Sequence, residues 1–527
     1  MMPTQHWARS FTVERDDLEF LTSLLLERET PLETETLARA LVQEKIDRER
    51  ALLRDRYQGA RIYDPAQHYE VGERLIFTEF DFATAAIESL RPGNNPDYGD
   101  FRVIAVKFDD NELNSPRKLR EFAIDFQIEH DLNQDDQQAN TIDSVSDLNL
   151  DEVMAIGGKQ IIGKVEEKLR GSSDLIYMAR RWFPRDLLME VNVGHLNLAE
   201  AVLDINGGGP MPTEQILDEI GGLGKAPLAL QIFSMNYALN QDSRFDEVGP
   251  AGEVLWHLTR LEPADVQNVP TILRYTTIDY DRDLLTDEMR AMEVEIDDEL
   301  SDAIEVDEAL DETMVTLTYP HRRLGTLPLS ERTAVIFPTA RQTPRISCVL
   351  IDGQDGEEYP AWVVRKERYV YGLAKFYRKH KLPIGAYVTI RKSDQSGKVA
   401  VDFKSHRPRT EWIRLIVPKG DTLTFENQKR AIGAEYDELM ILGADDLGAV
   451  DAVVQTVQQQ RKNLVAIMRN LIPALGTLTP QGTVHSKTLY SAVNVLRRCP
   501  PGAIFAVLAA NPDFQNVGGE FWKLSGD

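Results

Sequence analysis

Cysteine is nearly missing from this chain: two in 527 residues, Cys348 and Cys499. That excludes a disulfide framework and any cysteine-rich zinc module, and it points to a reducing compartment. The nine histidines stand singly, without the spacing a metal site needs, so neither a metal nor a cofactor is expected. No apolar run approaches the roughly 18 residues of a membrane span. The opening MMPTQHWARSFTVERDD lacks a basic region followed by an apolar stretch, so secretion is disfavoured and a cytoplasmic location is expected.

The marks of catalysis are also absent. INGGGP at Gly207 to Gly209 and GGLGKAP at Gly221 to Pro227 look superficially phosphate-binding, but Lys225 is followed by Ala and the Walker spacing fails. Both read as loops. No Gly-x-Ser-x-Gly elbow occurs, and Glu166-Glu167-Lys168 sits in a helical pattern instead of the strand a nuclease core needs. The chain reads as a protein that is not an enzyme.

Positive charge is scarce overall, with 59 Lys and Arg against 85 Asp and Glu and a net charge of −26. A uniform deficit of this size would repel phosphate. The distribution is uneven, however. Residues 1–150 carry 17 basic against 31 acidic residues, and 283–313 carry one Arg against 14 acids. Residues 321–420 reverse the balance with 20 basic against 9 acidic, and 452–512 hold 6 basic residues and no acid.

What is present reads as a multi-domain α+β chain, too long for one core. Residues 1–60 pattern as helix, turn and helix, interrupted at Thr30 and Pro31, and are winged-helix-like. Residues 61–130 pattern as short strands, YEVGERLIF, FATAAIESL and FRVIAVKF, with a turn cluster around Gly93 and Gly99. An acidic linker and helix follow over 131–174. Residues 175–265 begin with the basic and aromatic YMARRWFPRDLL and have the element order of a winged helix. Residues 266–314 form a connector whose acidic stretch from Asp283 to Glu312 reads first as a solvated linker. A β-rich domain with a short helix from Tyr371 to His380 spans 315–420, then a linker over 421–452 and a second winged-helix pattern over 453–527.

Three resemblances attach to these patterns. YEVGERLIF is similar to the opening strand of tudor- or SH3-like barrels that bacterial transcription factors use to dock on RNA polymerase. Phe245 to Leu258 (FDEVGPAGEVLWHL) and Phe514 to Leu524 (FQNVGGEFWKL) share a Phe, a Val-Gly pair, a glycine turn and then Trp and Leu. They resemble the wing of the winged-helix family shared by the RNA polymerase delta subunit, Asx-like chromatin proteins and some restriction endonucleases. Neither candidate third helix is rich in basic residues, so packing or protein contact is the better reading for both. Phosphate contact is easier to place at Lys487, Arg497 and Arg498.

Residues 315–420 resemble the pseudobarrel DNA-binding domain of plant auxin-response-type factors, also used by the effector domain of a restriction endonuclease. The likeness rests on an apolar strand ending at Phe337-Pro338, CVLID, Trp362, Arg365, Arg368, Gly372, Phe376, Leu382 and Gly385. It departs from the family at Gly372-Leu373 and Gly385-Ala386, where Gly-Trp and Gly-Asp are usual. The resemblance implies two arms that grip the major groove, corresponding to Arg322 and Arg323 and to Arg365, Lys366 and Arg368. Lys375, Arg378, Lys379, Lys381, Arg391 and Lys392 would touch the phosphate backbone.

The function expected is a transcription regulator or DNA-modification reader that binds double-stranded DNA. Alternatives are an RNA polymerase- or nucleoid-associated scaffold, with the acidic segment mimicking nucleic acid, and a specificity component of a restriction or defence system. Convergence of the five arm residues on one exposed face favours DNA; dispersal, or pairing with acids, favours the scaffold.

Overall fold

The computed structural model describes residues 4–80, 82–95, 98–109, 119–127, 148–301, 306–307, 309–340 and 343–526. The chain divides into two compact units, Met1–Glu190 with Gly224–Ser234, and Val191–Leu223 with Met235–Asp527. Among the described residues no helix is long and apolar enough to cross a membrane.

The first unit has the element order of a winged helix, interrupted by a five-stranded, barrel-like sheet. Helix Arg15–Arg28, strand Leu32–Glu33 and helix Thr34–Arg56 are followed by five strands ordered Ala60–Ile62, Arg74–Phe77, Ala83–Pro92, Arg102–Phe108 and Arg120–Ile124. The chain then resumes with helix Leu150–Arg170 and the hairpin Leu175–Met178 with Arg181–Pro184, and Leu32 pairs with Trp182. Trp182 is buried and donates its indole N–H to Thr34 Oγ1 at 3.0 Å. The barrel has its own core, in which Leu75, Phe77, Ile104 and Phe108 alternate inward along neighbouring strands. The helical start at 1–60 is therefore only the front half of a domain. YMARRWFPRDLL is its wing and not the opening of the next domain. Of the acidic stretch over 131–174, residues 131–147 lie outside the described residues.

The second unit begins with the same order of elements. Helix Val193–Ile205, strand Met211–Pro212, helix Thr213–Ile220, the Met235–Gln241 part of helix Leu228–Gln241 and the wing Phe245–Glu247 with Leu255–Leu258 repeat the element order of a winged helix. Trp256 repeats the role of Trp182, pairing with Met211 and donating to Thr213 Oγ1 at 3.0 Å. In the C-terminal copy, helices Leu464–Gly476, Ser486–Leu496 and Pro501–Ala510 precede the wing Phe514–Gly518 with Phe521–Leu524, and Val484 pairs with Trp522. Here Ser486 replaces the threonine and turns its hydroxyl to Glu520. Each copy spans the same three-stranded order, with the short first strand beside the last.

Between these lies a seven-stranded, nearly closed sheet. Its spatial order is Glu312–Thr316, Tyr387–Lys392, Lys398–Asp402, Arg345–Asp352, Glu358–Val364, Tyr369–Tyr371 and Thr326–Pro328. All pairs are antiparallel except Arg345–Asp352 with Lys398–Asp402. The helix expected from Tyr371 to His380 runs over Ala374–Lys379. The apolar run ending at Phe337-Pro338 is a helix, Glu331–Ile336, because Ser330 caps it by accepting from the Thr333 amide. Leu373 and Ala386 are fully buried, so the two departures from the family pattern fill core positions.

Two expected linkers are structured. Residues 405–434 form a long antiparallel hairpin, Ser405–Lys419 with Thr422–Ala434, joined by strand Leu442–Ala444. The acidic connector carries helix Asp287–Ile296, whose Met289, Met292 and Ile296 enter the core of the C-terminal winged helix. Its apolar residues recur at helical spacing, and burying them outweighs the solvation of an acidic chain.

Candidate nucleic-acid interface

The two arms implied by the pseudobarrel resemblance do not converge. Arg322 and Arg323 precede the strand Thr326–Pro328, whereas Arg365, Lys366 and Arg368 precede Tyr369–Tyr371. These strands pair antiparallel, Thr326 with Tyr371 and Pro328 with Tyr369, so the groups sit at opposite ends of the pair. Arg322 is half-buried and donates to Leu382 O at 2.6 Å, its guanidinium 5.9 Å from the Tyr377 ring. Arg323 is paired with Asp451 at 2.9 Å, Arg368 with Glu331 at 2.8 Å, and Arg365 donates to Thr343 O at 3.0 Å. Lys366 is exposed.

The end of the barrel near Arg365 is also where the second winged helix docks. Its wing gives Val248 O to the Ser347 amide at 2.8 Å, and His257 lies edge-on to Trp362 at 5.1 Å. Arg345 bridges Asp246 and Glu262, both at 2.7 Å. Burial, with the neighbouring Asp246 carboxylate favouring the protonated form, pushes the Glu262 carboxyl up to about 8 against the pull of Arg345.

At the opposite end, most of the expected backbone contacts are already neutralised. Lys379 sits among Asp352, Asp355 and Glu357 at 2.9, 2.5 and 2.9 Å, and Lys375 pairs with Glu357. Hydrogen bonds from Lys375, Lys379 and Tyr359 hold the half-exposed Glu357 carboxyl at about 2. Away from that end, beside the turn that follows strand Tyr387–Lys392, Arg391 faces Glu312 at 3.6 Å and Lys392 faces Asp311 at 3.5 Å. Arg378, whose Nε donates to Ala374 O at 3.2 Å, and Lys381 are exposed and form no ion pair among the described residues.

Of the three residues expected to reach phosphate from the C-terminal winged helix, Arg498 and Lys487 are held by the acidic segment, while Arg497 donates to Lys462 O at 3.4 Å. Arg498 is fully buried between Asp298 at 2.6 Å and Glu299 at 2.7 Å, and His321 meets Glu299 at 3.1 Å. Burial opposes ionisation of Glu299, but Arg498 and His321 together hold it well below the usual carboxylate range. Lys487 is buried between Glu295 and Asp437, at 2.6 and 3.0 Å. The third helix, Pro501–Ala510, is buried along most of its length and packs with Asp287–Ile296 in one core. It offers no face to a groove.

A different surface carries uncommitted cations. On the hairpin 405–434, Trp412 is 63% exposed and faces Lys429 across the strands, with Nζ 4.9 Å from the indole. Arg407 and Arg409 are exposed on the same hairpin and form no ion pair among the described residues. Its base meets the barrel end that carries helix Ala374–Lys379: Ser405 bonds Gln354 at 3.3 Å, Gln354 donates to Phe403 O at 3.2 Å, and Phe403 packs 4.8 Å from His380. Arg378 and Lys381 therefore share that end with the ribbon. Sequence reasoning missed the ribbon, although Trp412 set among Arg407, Arg409, Arg414 and Lys429 in strand-like alternation is the signal for it. Comparison with family models and with curated proteins finds no match to the chain.

Proposed function

We propose that this chain is a non-enzymatic DNA-binding protein, and that duplex DNA lies on the barrel end where helix Ala374–Lys379 meets the 405–434 ribbon. The observation that carries this reading is the exposed Trp412 beside Lys429, flanked by Arg407 and Arg409 with no carboxylate partner, in a chain of net charge −26. Free cations gain by displacing counterions from phosphate, whereas a cation already held by a carboxylate must first be released. The grip thus moves from Arg323, Arg368, Lys375 and Lys379 to Arg407, Arg409, Arg378, Lys381 and Lys429.

Electrophoretic mobility shift of the full chain on random duplex DNA at two salt concentrations tests this. An Arg407→Ala, Arg409→Ala, Trp412→Ala variant is expected to lose about tenfold or more in affinity and to show a salt slope shallower by about 2. An Arg365→Ala, Arg368→Ala variant is expected to bind nearly as the native chain does. Absence of a salt-dependent shift in the native chain overturns the reading.

A second reading, an interaction scaffold for RNA polymerase or nucleoid proteins, is favoured by one observation. Helix Asp287–Ile296 covers the third helix of the C-terminal winged helix, the face a DNA-reading winged helix would present. A pull-down of RNA polymerase by the ribbon variant, with no DNA present, would support it.

A further inference from the structure

A cleft of about 530 Å³ opens in the second unit between residues 271–276, helix Leu447–Gln459 and the end of helix Ser486–Leu496. Ile272, Val454, Val457, Val495 and Leu496 give it an apolar floor. Its charged lining is entirely cationic: Arg274, Arg461, Lys462, Arg497 and Arg498, with no carboxylate. Arg498 is committed to Asp298 and Glu299, and Lys462 faces Asp421 at 3.5 Å. The remaining arginines form no ion pair among the described residues; Arg274 and Arg497 each donate to one backbone carbonyl, Val269 O at 3.1 Å and Lys462 O at 3.4 Å. Guanidinium groups brought together without anions are the arrangement that receives phosphate oxygens in paired hydrogen bonds.

Arg461 gives an independent sign that its side chain is retained for use. Helix Leu447–Gln459 closes with Lys462 N donating to Val457 O at 3.2 Å, which places Arg461 in the left-handed position at φ 50°. Glycine is strongly favoured there, because a Cβ crowds the backbone. Arg461 lines the cleft from that position, at the expense of the backbone preference.

We propose that this cleft binds a small phosphorylated organic anion of nucleotide size. The volume lies within the roughly 300–1,000 Å³ of small-molecule sites, and the apolar floor suits an organic body that a bare phosphodiester backbone does not bring. Thr271, Thr276 and Gln458 add neutral polar groups at the lining. The site is separate from the ribbon and stands whether or not the ribbon binds DNA.

Isothermal titration of the full chain with adenosine diphosphate and with inorganic phosphate tests this site. Saturable binding of the diphosphate is expected at a dissociation constant near or below about 1 mM, with phosphate weaker. Arg274→Ala with Arg497→Ala is expected to weaken it by about tenfold or more. Arg461→Gly should weaken it as well, while the melting temperature of the unliganded chain stays level or rises, an outcome that a purely structural role for Arg461 does not give. The Arg407→Ala, Arg409→Ala, Trp412→Ala variant should bind the diphosphate as the native chain does. Failure of the native chain to bind either probe, or native-like binding by the cleft variants, overturns the proposal. Loss of duplex DNA affinity in cleft variants of a chain that ignores the diphosphate assigns the cleft to the DNA surface and equally overturns it.

Discussion

Trp182 donates its indole N–H to the hydroxyl of Thr34 at 3.0 Å, although 148 positions of sequence separate them and a five-stranded barrel folds in between. Trp256 and Thr213 repeat the bond at 3.0 Å across 43 positions. The hydroxyl belongs to the first residue of a helix and the indole to the last wing strand, so one hydrogen bond fixes the wing to the helical face. Thr34→Val keeps the side chain's shape and leaves the buried N–H unpaired, at a cost of about 1–3 kcal/mol. Denaturant unfolding followed by Trp fluorescence should show the loss, and hydrogen exchange should place it in the first unit.

This relationship marks where sequence reading stopped short. The wings at Phe245 to Leu258 and Phe514 to Leu524 are legible because their strands and helices are contiguous. The third copy is legible only in its front half, 1–60, because its hairpin follows its first strand only after the inserted barrel, and local periodicity carries no sign that Leu32 pairs with Trp182. Charge was misleading for a related reason. Counting acids from Asp283 to Glu312 makes the segment look solvated, yet Asp298 and Glu299 are spent on Arg498, and part of the basic surplus of 321–420 is spent on acids outside it, Asp246, Glu262, Asp311, Glu312 and Asp451. A linear count sees the charges and not their pairing. Within 315–420 the strand CVLID and the short helix before His380 were legible, whereas the run ending at Phe337-Pro338 was misread as a strand and the ribbon was cut by the expected boundary at 420.

The Arg498 cluster makes a strong stability prediction. Arg498→Met leaves Asp298 and Glu299 buried and unpaired, apart from His321 at Glu299 and the Tyr490 hydroxyl at Asp298. Breaking a buried pair from one side costs about 3–5 kcal/mol, so the C-terminal winged helix should unfold at markedly lower denaturant. Removing all three charges together, as Arg498→Met, Asp298→Asn and Glu299→Gln, should recover part of that loss, because the uncompensated charges go with the arginine. Chemical denaturation of the single and triple variants compares the two.

Two buried carboxyls give opposite pH dependences. Burial tends to raise Asp352, but hydrogen bonds from His380, Lys379 and the Gln354 amide outweigh it and bring the carboxyl to about 2. A depressed value contributes stability that is present above the usual carboxylate range and is lost as pH falls from about 4 towards 2, roughly 2–3 kcal/mol in all. Asp352→Asn should remove that acid-side loss. Glu262, raised to about 8, contributes stability below its unfolded value that is lost as pH rises through 8. Glu262→Gln should therefore flatten the alkaline side, as read from melting temperatures between pH 6 and 9.

The carboxylate cage around Lys379 leads to a gain-of-function prediction. Glu357 holds both Lys375 and Lys379 at the barrel end shared with the ribbon, and it is half-exposed. Glu357→Gln keeps the hydrogen-bonding shape but removes the competing charge, which frees Lys375 for phosphate while Asp352 and Asp355 still hold Lys379. If the DNA lies across this end, one added phosphate contact should tighten binding severalfold at low salt and steepen the salt slope by about 1. The same substitution should leave affinity unchanged in a chain whose DNA contacts lie elsewhere. Titration of duplex DNA at two or more salt concentrations, comparing Glu357→Gln with the native chain, separates these outcomes.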